Sequence, residues 1–233
     1  MVGPLQKCAP AVRARHVCCE PMRDIFLLLL SLAAGCVDAL AFLHTGTFPA
    51  NMTGNSVVLG LALARANVTG AELSALALLG FCLGAAAGAR LTPATGRAWS
   101  GRVTLSLALG GILLLGAAAA IGLGGHFTVA LALAAVAMGL QSAAIQRLGV
   151  AGVSTVVVTG TLTIAILRLV DGRAPGAPAA NTPWLPAASW VAYFLGAIVG
   201  GLQSLLQVPL PILLPGILLL AVAALASRAR LDA

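Results

Sequence analysis

Charged side chains make up only 8% of this chain. A soluble domain devotes about a quarter of its residues to charge, which covers its outside. With 60% hydrophobic residues and a mean hydropathy of +1.05, this chain cannot offer water such a cover, and lipid is the solvent it fits. Other absences narrow the chemistry. No Walker-type phosphate loop, His-Glu-x-x-His or Gly-x-Ser-x-Gly string occurs, so no nucleotide cradle, zinc-protease site or nucleophile–base pair is legible. The chain is not read as an enzyme, and no cofactor or metal is expected. The five cysteines are Cys8, Cys18, Cys19, Cys36 and Cys82, and none forms a Cys-x-x-Cys pair. Cys18 and Cys19 beside His16 hint weakly at a metal, but an unstructured N-terminal tail is much the better account of them. The net charge of +7 does not point to nucleic acid, because the basic residues flank apolar runs, where they set orientation.

What is present is a series of long apolar runs, at about 25–43, 56–64, 73–91, 103–123, 127–146, 153–170, 187–206 and 210–227. A spanning helix needs about 20 such residues, and helices and closed barrels are the only backbones that satisfy themselves in lipid. The fold class is therefore all-α, a polytopic transmembrane bundle in one domain over residues 23–228. Residues 1–22 read as a disordered tail, or as an extension upstream of a start at Met22. Ile25–Cys36 has the look of a signal peptide, and Ala33-Ala34-Gly35-Cys36 of a weak lipoprotein cleavage site. The rest of the chain is just as apolar, so an uncleaved first span is the better reading.

The halves, about 24–123 and 127–227, echo each other. Gly35 matches Gly139, and Thr53-Gly54 matches Thr159-Gly160. Phe81-Cys82-Leu83-Gly84 matches Tyr193-Phe194-Leu195-Gly196, and Gly111-Ile112-Leu113-Leu114-Leu115 returns at Gly216–Leu220. Gly84 with Gly88, and Gly196 with Gly200, form small-residue faces suited to close helix packing. Topology follows from where Lys and Arg fall, since they favour the cytoplasm. Eight spans put nine inside and four outside: Arg90, Arg97, Arg102 and Arg147. If 47–64 and 153–168 instead enter and return on one side, only Arg65 lies outside, and the division is twelve to one. Six spans plus two interrupted segments are preferred over eight. Three spans per half make the repeats inverted, with both termini in the cytoplasm.

Asp38 is the one acidic residue well inside a span, where an ionised carboxylate costs a few kcal/mol and needs a cavity or a partner. It is read as a proton, cation or solute contact, or as a hydrogen-bonding link between helices. Asn51-Met52-Thr53-Gly54-Asn55 is a polar interruption before a short apolar run. Broken backbone at membrane depth must be buried in protein or line water, and matched interruptions in two halves point to a transporter's site. Asn51, Thr53, Gly54 and Asn55, with Thr159, Gly160 and Thr161 opposite them, are candidate solute contacts. Gln141, Ser142 and Gln203 are polar within spans and line the same cavity or glue helices together. His44 and His126 fall at run ends, at the interface.

The strings Ala34-Gly35-Cys36-Val37-Asp38-Ala39-Leu40-Ala41-Phe42, Asn51-Met52-Thr53-Gly54-Asn55, Met138-Gly139-Leu140-Gln141-Ser142-Ala143 and Val158-Thr159-Gly160-Thr161 resemble the YoaK family over residues 22–227. Members often carry Asn where this chain has Ser142. The resemblance implies a multi-pass protein of the bacterial inner membrane and supplies no substrate, cofactor or catalytic residue. Two functions are carried forward: a small secondary transporter or channel-like permease for a small solute, and a non-transporting scaffold or accessory subunit. The bilayer is the expected partner, nucleic acid is not, and a homo-oligomer stays open.

Overall fold

The computed structural model describes residues 10–92, 99–149, 158–171 and 184–229; the side chains of 10–20, Val158, Thr159, Arg168 and Asp171 lie outside that description. The described residues form eight helices and no strand. These are α1 (Pro10–Thr45), α2 (Met52–Ala64), α3 (Val68–Leu91), α4 (Gly101–Gly122), α5 (Phe127–Arg147), α6 (Val158–Asp171), α7 (Leu185–Leu205) and α8 (Leu213–Arg228). Among them five are long and apolar enough to cross a membrane: Pro21–Thr45 of α1, and α3, α4, α5 and α7. The apolar helices α2 and α8 are shorter, at 13 and 16 residues. Large apolar side chains stand bare on the outer faces, Leu63, Leu83 and Leu205 at 66%, 68% and 76% exposure. Such patches are rare on a protein surrounded by water and are what a lipid-facing surface requires.

Contacts between helices fix their directions. Ser31 bonds Ser189, and Cys36 lies against Gly200 and bonds Gln203, so α1 and α7 run parallel. Gly80 meets Ala135 and Gly88 meets Ala143, so α3 and α5 also run parallel. Leu30 pairs with Gln141 and His44 with Phe127, which sets α1 against α5. Gly110 with Leu219, and Leu115 with Gly216, set α4 against α8; Gly110 with Ala137, and Gly116 with Leu133, set α4 against α5. Thus α1, α4 and α7 point one way, and α3, α5 and α8 the other. We call the two ends of the bundle the Thr45 end and the Trp99 end.

The glycine contacts recur at fixed offsets. A Cβ on Gly35 would overlap the Tyr193 carbonyl, and one on Gly139 the Phe81 carbonyl. A Cβ on Gly196 would overlap the Leu32 carbonyl, and one on Gly84 the Val136 carbonyl. Shifting α1 residues by +104 and α7 residues by −112 turns each α1–α7 pair into an α5–α3 pair. The four glycines that the sequence assigns to packing, Gly84, Gly88, Gly196 and Gly200, are all buried at these crossings. Only a residue without a side chain lets two helix backbones come this close.

The interruption sits slightly upstream of where the sequence places it. The non-helical stretch is Gly46–Asn51; Thr53, Gly54 and Asn55 already belong to the first turn of α2. Asn51 is the N-cap, accepting from the Gly54 amide at 3.0 Å, which explains the error: the polar residues mark a helix start, where side chains replace missing backbone partners. Likewise Gly160 and Thr161 lie in the first turn of α6, and residues 150–157 before it are outside the description.

Candidate functional site

Two neighbouring features compete for function, a polar knot and an apolar cavity, both built against α1. The knot begins with Gly46, whose φ of +69° lets the chain reverse after α1. The chain then runs back beside α1 as far as Asp38, seven residues before Thr45. At 1.5 Å per residue that is roughly 10 Å inside the end of α1. There Asp38, 2% exposed, accepts from the Ala50 amide at 2.7 Å with one carboxylate oxygen, and from the Tyr193 hydroxyl with the other. Asn55 closes the turn from the far side. Its amide oxygen accepts from the Phe48 N–H at 2.8 Å, and its NH2 donates to the Phe48 carbonyl. Buried backbone polar groups cost about 1–3 kcal/mol each when orphaned, and these two side chains remove that cost where helix geometry cannot. Asn55→Ala should orphan both polar groups of Phe48. The expected loss is about 2–5 kcal/mol, read as a lower melting temperature of the detergent-purified protein.

The structure brings Asp38, Asn51, Gly54 and Asn55 together. Thr53 faces outward, Gly160 is exposed and Thr161 is buried; the Thr159 side chain lies outside the described residues. Gln141 is elsewhere. It donates to the Leu30 carbonyl at 3.1 Å, and Leu30 is eight residues, roughly 12 Å, along α1 from Asp38. Gln203 accepts from the Cys36 thiol at 3.4 Å, and Ser142 accepts from Gln146 at 3.3 Å. Gln141 and Gln203 link neighbouring helices, the Ser142–Gln146 bond stays within α5, and the three do not gather at one point. Sequence reasoning missed Tyr193. Its signal was being the sole tyrosine, placed where the other half has Phe81.

Among the described residues, three side-chain links join one of the two matched seams. Ser31–Ser189, Cys36–Gln203 and Asp38–Tyr193 join α1 to α7. The same offsets give Ala135–Ala77, Leu140–Leu91 and Ser142–Phe81 for α5 and α3. The hydrogen-bonded seam is the one that also anchors the interruption.

The cavity lies at the Thr45 end, with a volume of about 220 Å³. Leu40, Ala41, His44 and Thr45 of α1 form one wall, Phe127, Ala130, Leu131 and Ala134 of α5 another, with Ile121 and the α7–α8 loop closing it. Leu40 and His44 lie roughly 200° and 240° around α1 from Asp38, whereas Ala41 and Thr45 fall within about 60° of it. Thr45 also bonds Thr47 of the reversed chain, so the cavity borders the knot along the flank of α1. Among the described residues that line it, the polar side chains are His44 and Thr45. The loop residues Gln207 and Leu210 hold φ of +51° and +53°. Non-glycine residues are strained there, and such strain concentrates at functional segments.

The offset of 104 also relates the cavity walls to the other end. Leu40, Ala41 and His44 map onto Ala144, Ile145 and Leu148; Ala130, Leu131 and Ala134 map onto Phe26, Leu27 and Leu30. All six counterparts are buried, between 0% and 3% exposed, as are Leu40, Ala130, Leu131 and Ala134 themselves, at 1% to 4%. Phe26 packs edge-on against buried Trp99, ring centroids 5.5 Å apart, and Trp99 bonds Thr104 at 2.9 Å. At three of the six positions, Ala41, Ala130 and Ala134, an alanine at the Thr45 end answers to a bulkier residue at the Trp99 end, while Leu40 and Ala144 reverse the relation.

An all-helical bundle clad in bare leucines, with an interrupted hairpin pinned inside it, defines a multi-pass membrane protein. Residues 26–225 match the family model described as "Protein of unknown function (DUF1275)", and the chain belongs to that family. It is 36% identical over 156 residues to the UPF0700 transmembrane protein YoaK of Bacillus subtilis (strain 168), covering 65% of this chain and 68% of that one. No solved structure matches.

Proposed function

We propose that the chain is a small-solute permease of the bacterial cytoplasmic membrane, built from two inverted repeats of three spans and one re-entrant segment each. In this reading α1, α3, α4, α5, α7 and α8 cross the bilayer. α2 starts and ends at the Thr45 end, because α1 arrives there and α3 departs from it; α6 does the same at the Trp99 end. At 13 and 14 residues, α2 and α6 reach about 20 Å, short of the 30 Å hydrocarbon core. The duplication is supported by glycine crossings related at constant offsets, and the inversion by α1 running against α5 and α4 against α8. Among the described side chains, Arg23, Arg90, Arg102, Arg147 and Arg228 stand at the Trp99 end and only Arg65 at the Thr45 end. The positive-inside rule then places the Trp99 end, and both termini, in the cytoplasm.

The observation that carries the permease reading is the contrast between matched positions among the described residues. They line a cavity at the Thr45 end, and at the Trp99 end they include Phe26 packed on Trp99, a difference expected of an inverted-repeat carrier open to one side. Solute would enter from the Thr45 end and leave when the Phe26–Trp99 plug parts. The knot at Asp38 then serves as the fixed tie between α1, the re-entrant loop and α7. In the alternative assignment Asp38, Asn51, Thr53, Gly54, Asn55, Gln141, Thr159, Gly160 and Thr161 themselves contact solute. The scaffold reading draws on one observation, that Asp38 and Asn55 are occupied with the chain's own backbone.

Single cysteines in a background freed of the five native ones test the proposal. Val208→Cys, in the cavity loop, should react with a membrane-impermeant maleimide from the extracytoplasmic side only. Leu148→Cys should resist it from both sides, and adding Trp99→Ala should raise its labelling at least tenfold from the cytoplasmic side. Labelling of Val208→Cys only from the cytoplasm would overturn the orientation. A Leu148→Cys that stays unreactive with Trp99 removed would overturn the plug.

A further inference from the structure

The cavity proposed above as the solute site is specific enough to indicate what it holds. Among the described residues it has no fixed charge: no Asp, Glu, Lys or Arg lines it. A small inorganic ion, a zwitterion or a phosphate would lose its hydration there with nothing in exchange, which is prohibitive in an apolar surround. At about 220 Å³ the space exceeds the 150 Å³ or so that accepts a benzene molecule, and falls short of a drug-sized site. One wall is flat and aromatic, with the His44 and Phe127 rings stacked at a centroid distance of 4.9 Å and 18° between planes.

The polar groups fix the rest. His44 Nδ1 lies 2.8 Å from the Leu40 carbonyl. A carbonyl only accepts, so Nδ1 carries the hydrogen, and in the imidazole tautomer that this selects Nε2 is the acceptor. Thr45 Oγ1 donates to the Ala41 carbonyl at 2.8 Å and takes the Thr47 amide at 3.4 Å and the Thr47 hydroxyl at 2.8 Å. Its hydrogen is spent within the chain. The side chains of the cavity therefore offer a solute one acceptor and no donor.

We propose that this cavity binds a small, flat, largely apolar molecule bearing one N–H or O–H donor, with His44 Nε2 accepting it. The inference rests on the cavity being the permease's solute site. It names the ligand class that the permease reading leaves open.

The test uses indole as probe, N-methylindole as its donorless twin and decane as a stand-in for a lipid tail. Purified full-length protein in detergent, with Ala41→Cys as the only cysteine, is labelled with N-ethylmaleimide against increasing concentrations of each. Indole should protect Cys at position 41 at a concentration at least threefold lower than N-methylindole, since a neutral hydrogen bond is worth roughly two- to tenfold in affinity. His44→Phe keeps the ring stack and should erase that difference; His44→Gln restores an acceptor and should recover part of it. Equal protection by indole and N-methylindole, a preference that survives His44→Phe, or protection by neither overturns the proposal. Protection by decane matching that by indole overturns it in favour of a lipid tail. These failures leave the permease reading standing. A cysteine at position 41 that never labels under any condition removes the water-accessible cavity, and both readings fall together.

Discussion

Gly196→Leu should abolish most of the folded protein, while Gly201→Leu, five residues along the same helix, should be harmless. The difference lies in what a new side chain meets. A Cβ at Gly196 would overlap the carbonyl of Leu32 and press on its Cα, which is backbone that no rotamer change can move. At Gly201 nothing stands within 4 Å. Overpacking a core costs about 1–3 kcal/mol where side chains can yield, and here only separation of α1 from α7 relieves the clash. That opposes the gain of about 1 kcal/mol from replacing glycine inside a helix. In lipid no hydrophobic force rejoins the helices once their packing is lost. Size-exclusion recovery and melting temperature in detergent give the readout: a recovery below a tenth of wild type for Gly196→Leu, and a melting temperature equal to or above wild type for Gly201→Leu. Gly84→Leu should match Gly196→Leu, because its Cβ would meet Val136 as that of Gly196 meets Leu32. A benign Gly84→Leu beside a ruinous Gly196→Leu would break the equivalence of the halves.

Those glycines were legible because their spacing is a local pattern that repeats. Gly84 and Gly88, with Gly196 and Gly200, announce a close face without reference to any partner. The helices were legible for the same reason, since apolar runs in lipid leave the backbone no other way to satisfy itself. Start points were less so. Val68–Glu72 was left outside a run whose helix begins at Val68, capped by Asn67, whose side chain accepts from the Gly70 amide at 3.1 Å. Polar caps read as loop when only hydrophobicity is followed. The Asp38–Tyr193 link joins residues 155 positions apart, and nothing near either residue names the other. The cavity was hidden altogether. It arises because Ala130 and Ala134 are smaller than Phe26 and Leu30 at the matched positions, a difference in volume between helices that no single segment displays. His44 was set aside as an interface residue, since stacking on Phe127 appears only once α1 and α5 are laid antiparallel.

Asp38→Ala should cost about 2–5 kcal/mol of stability, and Asp38→Asn about 1 kcal/mol or less. Removing the carboxylate orphans the Ala50 N–H and the Tyr193 hydroxyl together, both buried beside the reversed chain. Asparagine leaves neither alone. Its oxygen accepts from Ala50, its NH2 donates to the Tyr193 oxygen, and the tyrosine hydrogen turns away. The neutral amide also avoids the charge cost that a carboxylate bears among apolar helices. A cycle with Tyr193→Phe isolates the pair: coupling of about 0.5–3 kcal/mol is expected between directly bonded residues, measured from melting of the four proteins. The same variants separate the two roles written for Asp38 from the sequence. A tie needs an acceptor, which Asn keeps, so solute uptake by Asp38→Asn vesicles should match wild type even when Asp38→Ala fails to fold. A proton or cation site needs the ionisable group, which Asn lacks, so uptake would vanish from a protein whose melting is unchanged. Stability and transport thus move together if the carboxylate holds the re-entrant loop to α1 and α7, and come apart if it carries charge.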